Sequence, residues 1–282
     1  MHKLSVNLFQ NTNSLSNNIF NFLYKKFFFK NNNNYTHYLK NGYQKIGCID
    51  DKYITDIISD LNVQAKNIDA PNFKLKKSRN TIISIKKIIN NCLKDHLKNL
   101  ENIFNASIKF SFSEITRNYH VDTKKEYYSN YLHTDGYNCL LQKIFINLDN
   151  VNENQGPLNI LKYPISKKTK KKLIENNYRL PDDKIKIDEE LFFINTGKKG
   201  SVLIVDSTNV LHKAGIPKKN NHRDMLLLEF VIVPKDNANS FYLDENKNDL
   251  DFYLRDDNIF SKSEAKLKSK FELIKKFLKI II

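Results

Sequence analysis

Apolar residues along the chain change their spacing near residue 106. Upstream, Ile54, Ile57, Ile58 and Leu61 recur at intervals of three and four, which places them on one face of an α-helix. The same spacing in Ile85, Ile88, Ile89, Leu93 and Leu97 predicts a second helix over 81–105. A short strand over 43–46 and a turn at Asp50 and Asp51 precede the first helix. Downstream, ASIKFSFSEI alternates, with Ile108, Phe110 and Phe112 on one face and Ser107, Lys109 and Ser111 on the other, as in a half-buried strand. The apolar runs CLLQKIFINLD (139–149), GSVLIVDS (200–207) and MLLLEFVIV (225–233) predict further strands. Helices followed by many short strands predict a mainly β fold, with helices flanking an antiparallel barrel or sandwich.

The ends have a different texture. Residues 1–36 are aromatic, basic and Asn-rich and read as an N-terminal extension with one helix around 19–29. The main domain is expected over 37–260. The closing stretch, 261–282, sets Leu267, Phe271, Ile274, Phe277 and Leu278 along one side of a basic helix. The stripe is narrow and has no second anchor, so the expectation is a C-terminal helix docked on the domain, not one lying on a membrane surface.

Composition adjusts this picture only slightly. The chain of 282 residues carries 46 Lys and Arg against 31 Asp and Glu, a net charge of +15. Lys, Asn, Ile and Phe are abundant together while Gly and Pro number 7 and 6, the bias of an AT-rich genome. The lysines are spread over the whole chain, so the charge reads as a solvated surface, with no nucleic-acid partner expected. Three widely spaced cysteines, Cys48, Cys92 and Cys139, form no zinc or disulfide pattern, which suits a reducing cytoplasm. The N-terminal residues lack the unbroken apolar core of a signal peptide, and no apolar run approaches the roughly 20 residues that span a bilayer.

The candidate chemistry lies in NYHVDTKKEYYSNYLHTDGYN (118–138), where His-x-Asp occurs twice, as His120 with Asp122 and His133 with Asp135. On a strand, positions i and i+2 face the same way, so either pair could aim an imidazole and a carboxylate at one metal ion. Context favours the second pair. Gly136 and a strong strand follow Asp135, whereas Thr-Lys-Lys-Glu, a solvated turn, follows Asp122. A further ligand is offered by His212, just past the apolar strand that ends at Asp206. Arg223 begins the next apolar strand, 11 residues on. An arginine entering a buried strand calls for a partner, and a carboxylate gripped in two-pronged fashion is one. Two histidines and one carboxylate on one face of a metal are the ligand set of non-haem Fe(II) oxygenases.

The order His-x-Asp, distal His 77 positions after the Asp, then Arg resembles the Fe(II)/2-oxoglutarate-dependent dioxygenases. More closely, it resembles the phytanoyl-CoA dioxygenase-like family. LHTDGYN is similar to that family's metal-binding strand end. FINLDNVNENQGPLNILKYPIS is similar to its next strand and loop, here Glu153, Asn154, Gln155, Gly156, Pro157 and Leu158. GSVLIVDSTNVLHKAG with Arg223 is similar to the segment carrying the distal histidine and the co-substrate arginine, and YLKNGYQKIGCIDDKYITDII to the N-terminal opening. The likeness covers roughly residues 37–235.

The resemblance implies a double-stranded β-helix, the jelly-roll or cupin-like barrel. It implies Fe(II) on His133, Asp135 and His212, with 2-oxoglutarate and O2 as co-substrates and Arg223 pairing the distal carboxylate of 2-oxoglutarate. Thr116 or Asn118, on the strand before His-x-Asp, would supply a second contact. The implied reaction is hydroxylation of a small molecule coupled to decarboxylation of 2-oxoglutarate to succinate and CO2; halogenating relatives lack the carboxylate that Asp135 provides. His120 would lie on the preceding strand. Two departures concern co-substrate binding: Ala214 stands where a hydroxyl residue is usual, and Lys162, Tyr163, Pro164, Ile165 and Ser166 replace the usual Pro-Gly-Ser-His. Loops over 121–131 and 163–196, rich in Lys and Tyr, would form a lid suited to an anionic or sugar-like substrate. Two other readings remain open here: a jelly-roll metal enzyme that does not use 2-oxoglutarate, and a non-catalytic module that binds polyanions.

Overall fold

Two antiparallel sheets face each other across an apolar interior. The computed structural model describes residues 36–66, 70–104, 106–122, 126–135, 140–162, 179–181, 187–208, 210–233 and 241–247. The helices expected around 19–29 and over 261–282, and most of the 163–196 loop, lie outside them.

Helix α1 (Thr36–Asn41) leads into β1 (Tyr43–Cys48), then α2 (Asp51–Gln64), β2 (Asn72–Lys74), α3 (Arg79–Lys87) and α4 (Lys94–Phe104). The strands follow: β3 (Ser107–Tyr119), β4 (Leu132–His133), β5 (Leu140–Asn147), β6 (Leu158–Leu161), β7 (Arg179–Leu180), β8 (Phe192–Asn195), β9 (Ser201–Asp206), β10 (His212–Ala214) and β11 (His222–Val233). The larger sheet has the order β1-β9-β5-β11-β3-β2 and the smaller β7-β4-β10-β6-β8. Helices flanking a mainly antiparallel β structure of this kind form the expected jelly roll.

Alternation along each strand sorts the side chains between two cores. Ile144, Ile146, Val202, Ile204, Leu226, Leu228 and Phe230 leave the outer face of the large sheet and pack against Ile54, Ile57 and Leu61 of α2 and Ile85 of α3. The residues between them, Phe145, Leu203, Val205, Met225 and Leu227, line the barrel with Leu158 and Ile160 of the smaller sheet. Burial of these side chains from water is the main force holding the two layers together.

Two expectations change on the structure. The single helix expected over 81–105 is interrupted by a π-helical turn, Ile88–Cys92, in which the Leu93 amide donates to the Ile88 carbonyl, 2.9 Å away. The wider turn keeps Ile88, Ile89 and Leu93 buried and turns Asn90 to the backbone of Leu243, with which it exchanges two hydrogen bonds. Phe112 also leaves the face shared by Ile108 and Phe110. The β3–β11 register shifts between Glu229 and Phe230, and this bulge reverses the parity of the strand beyond Ser111. As a result Thr116 and Asn118 face the barrel interior beside Arg223 and Met225.

Candidate metal centre

The two-residue strand β4 ends at His133, and β10 begins at His212. The two histidines are directly paired in the antiparallel ladder, so both imidazoles project from the same face at the same height. Asp135 follows β4 and is tied down by its amide, which donates to the Ser207 carbonyl 2.8 Å away. Potential ligand atoms of His133, Asp135 and His212 all lie within 4.8 Å of one another. Asp135 Oδ2 is 3.1 Å from His212 Nε2, and Oδ1 is 3.7 Å from His133 Nε2.

Each ring is oriented by its own backbone. His133 Nδ1 lies 2.7 Å from the Tyr131 carbonyl and His212 Nδ1 lies 3.0 Å from the Val210 carbonyl. A carbonyl can only accept, so Nδ1 carries the proton and Nε2 presents its lone pair inward. Burial, followed by the neighbouring His212, lowers the His133 pKa to about 3, so the ring is neutral across the physiological range. Burial opposes ionisation of Asp135, but Lys143 above all, with His212 and His133, holds its pKa well below the ordinary carboxylate value. Two imidazoles and one carboxylate fit a divalent ion such as Fe(II).

A second polar group occupies the same interior. Arg223, near the start of β11, is 2% exposed, and its guanidinium donates to the Gly156 carbonyl through one terminal nitrogen. Burial lowers its pKa to about 10, with Tyr128 raising it, which leaves it cationic at neutral pH. Arg223 pairs in register with Asn118, and Met225 with Thr116. Arg223 Nε, Asn118 Oδ1 and Thr116 Oγ1 are buried without a hydrogen-bond partner. Three such atoms side by side are costly unless a polar ligand satisfies them.

The structure thus gathers His133, Asp135 and His212 at one point and Arg223, Asn118 and Thr116 at another. His120 stands apart. It follows β3, its Nδ1 meets the Pro217 carbonyl at 2.7 Å and its Nε2 meets the exposed Asp122 at 2.6 Å. Ala214 is buried on β10, and its amide donates to the Ser129 carbonyl. Of two further residues near these groups, one was not anticipated. Lys143 on β5 holds Asp135, its Nζ 2.6 Å from Oδ2; its signal was a lysine within an apolar run. Tyr128 couples to Arg223, and burial, only partly offset by that guanidinium, pushes its phenol up to about 12. It belongs to the Tyr-rich 121–131 loop expected to form a lid.

No protein-family model matches the chain, and no curated protein matches it. Solved structures do. HygX from Streptomyces hygroscopicus with nickel and 2-oxoglutarate bound is 12% identical, with a TM-score of 0.51 over 72% of this chain and 87% of that one. HygX with iron bound gives a TM-score of 0.50 at 10% identity, over 78% of this chain and 98% of that one. The chain shares their fold. No helix among the described residues is long and apolar enough to cross a membrane.

Proposed function

We propose that this protein is an Fe(II)- and 2-oxoglutarate-dependent oxygenase that hydroxylates a small molecule. The observation that carries the reading is the pairing of two sites in one interior: the His133, Asp135 and His212 cluster, and the buried Arg223 with its unsatisfied neighbours. HygX, solved with 2-oxoglutarate and separately with iron, supports it as a protein of the same fold. The phytanoyl-CoA dioxygenase-like branch is our placement, resting on LHTDG and the Gly156-Pro157-Leu158 loop. The free thiols of Cys48 and Cys92 suit the reducing, cytoplasmic setting we assign.

When bound, iron(II) and 2-oxoglutarate would supply the oxidising chemistry, in which substrate, 2-oxoglutarate and O2 give hydroxylated substrate, succinate and CO2, one oxygen atom going to each of the first two. The chain's part is to bind, orient and exclude water. His133 and His212 offer Nε2 lone pairs held in place by backbone carbonyls, and Asp135 offers a carboxylate oxygen. Arg223 offers a guanidinium to the distal carboxylate of 2-oxoglutarate, with Thr116 and Asn118 completing the polar seat. The apolar wall of Phe145, Leu203, Val205 and Leu227 keeps water from the seat and strengthens each charged contact.

Anaerobic titration of the Fe(II)-loaded protein with 2-oxoglutarate tests the reading. A weak visible charge-transfer band should appear in the parent and need about 30-fold or more 2-oxoglutarate in Arg223→Met. A parent that binds metal but gives no band points to a jelly-roll metal enzyme without 2-oxoglutarate. Salt-sensitive polyanion binding unaffected by His133→Ala, with no metal bound, points to the polyanion module.

A further inference from the structure

Lys143 sits at the centre of β5 and is 9% exposed. Its register neighbours are Val205 on β9 and Glu229 on β11, and its strand parity is that of the barrel-lining Phe145. Buried lysines are rare and need a counter-charge. Here the ammonium lies 2.6 Å from Asp135 Oδ2, and the same oxygen lies 3.1 Å from His212 Nε2. An apolar residue would serve the barrel wall at this place, as Phe145 and Val205 do beside it. Glu229 is a second buried carboxylate beside it, but the carboxylate that the ammonium meets at 2.6 Å is that of Asp135.

We propose that Lys143 is a positioning residue of the metal centre and acts as a resident counter-charge. It holds the buried Asp135 carboxylate ready before metal enters, and it weakens the grip on the metal afterwards. The proposal rests on the metal reading above. In the metal-free protein the ammonium supplies a counter-charge to this deeply placed carboxylate and fixes the side chain's aim. A divalent ion arriving at Asp135 meets that same ammonium, and like charges repel strongly in a low-dielectric interior. Two effects of Lys143 on affinity thus oppose each other. Aiming Asp135 restricts one short side chain, a small gain; facing a doubly charged ion with a fixed cation a few ångströms away is the larger effect. The contact is an ion pair and not an aligned hydrogen bond, since Asp135 Oδ2 has no hydrogen-bond partner, so the oxygen stays open to a metal ion. The centre is preformed but holds its ion reversibly.

The test compares Mn(II) binding by calorimetry, and thermal melting without metal, for the whole chain and four variants. Lys143→Met is expected to bind Mn(II) about tenfold or more tightly than the parent, and its metal-free form to melt at a lower temperature. Lys143→Arg, which keeps the charge, should stay within about threefold of the parent. If Lys143→Met does not fold without metal, Lys143→Gln makes the same comparison with a polar neutral side chain. Mn(II) binding by a folded neutral variant that equals or falls below the parent's overturns the proposal. His212→Ala separates this outcome from failure of the metal reading. If its Mn(II) binding is lost while the neutral variants match the parent, only the counter-charge fails. If it binds Mn(II) as the parent does, the metal reading fails and the proposal with it.

Discussion

His212 faces His133 directly across the β4–β10 ladder, with ring centroids 4.4 Å apart and ring planes tilted by 48°. Backbone pairing fixes both candidate ligands together, so removing either should empty the proposed site. His133→Ala and His212→Ala are each expected to weaken Mn(II) binding by more than about 100-fold, beyond the 10–100-fold typical of residues that only support a ligand. Calorimetric titration checks this, with circular dichroism to confirm that each variant folds.

Arg223 is separable from the candidate metal ligands. Arg223→Met should leave Mn(II) affinity within a few-fold of the parent and weaken 2-oxoglutarate binding by about 30-fold or more, the loss expected when one partner of a buried charged pair is truncated. Arg223→Lys should recover only part of this, because an ammonium cannot reproduce the planar fork. Titration of the metal-loaded variants with 2-oxoglutarate reads both effects.

Gly156 shapes the loop whose carbonyl holds Arg223. Its φ is +64°, and an added Cβ would lie 2.4 Å from the backbone of Ile216 and Pro217. Gly156→Ala is therefore expected to cost about 2 kcal/mol or more, from the left-handed backbone and the clash together. It should also weaken 2-oxoglutarate binding by moving the carbonyl from the guanidinium. Chemical denaturation and ligand titration on the same samples check the two.

Acid should destabilise the metal-free protein through His133. Its folded pKa of about 3 lies below the roughly 6.5 of a free histidine. As pH falls, the unfolded chain takes up the proton first, so the stability His133 contributes is intact above about pH 6.5 and is lost progressively toward pH 3. The slope for one proton is about 1.4 kcal/mol per pH unit. Asp135, with an ordinary value of 3.8 that the fold lowers, adds its own loss only below that; His96, lowered by burial, and His120, raised by its partners, also titrate between pH 6.5 and 4, so the difference from a His133 variant is what isolates this histidine. A His133→Gln variant should show a flatter pH dependence over that interval.

Much of this was legible in the spacing of residues. Ile54, Ile57 and Leu61 predicted a helix because its buried face repeats every three to four positions, and α2 buries those three. The triad was legible because His133 and Asp135 sit at a strand's end and His212 follows a strand that must be buried. The π-helical turn was not, since Ile88, Ile89 and Leu93 satisfy the ordinary helical spacing until Asn90 finds its partner at Leu243. Nor was the reversal at Ser111, because a bulge is decided by pairing with a distant strand. Lys143 lies inside the apolar run 139–149 with nothing in the sequence to name its partner, since Asp135 meets it only in the folded barrel.

The two halves of the candidate site stand on unequal foundations. The imidazoles grow from β4 and β10, of two and three residues, while Arg223 grows from the twelve-residue β11, clamped between β3 and β5 and backed by the helices. Brief ladders part with little loss, whereas a long central strand yields only when the whole molecule unfolds. The barrel is thus an anvil under the guanidinium and a hinged jaw at the histidines, and the first opening motion of this protein would spread the jaw while the anvil stays still.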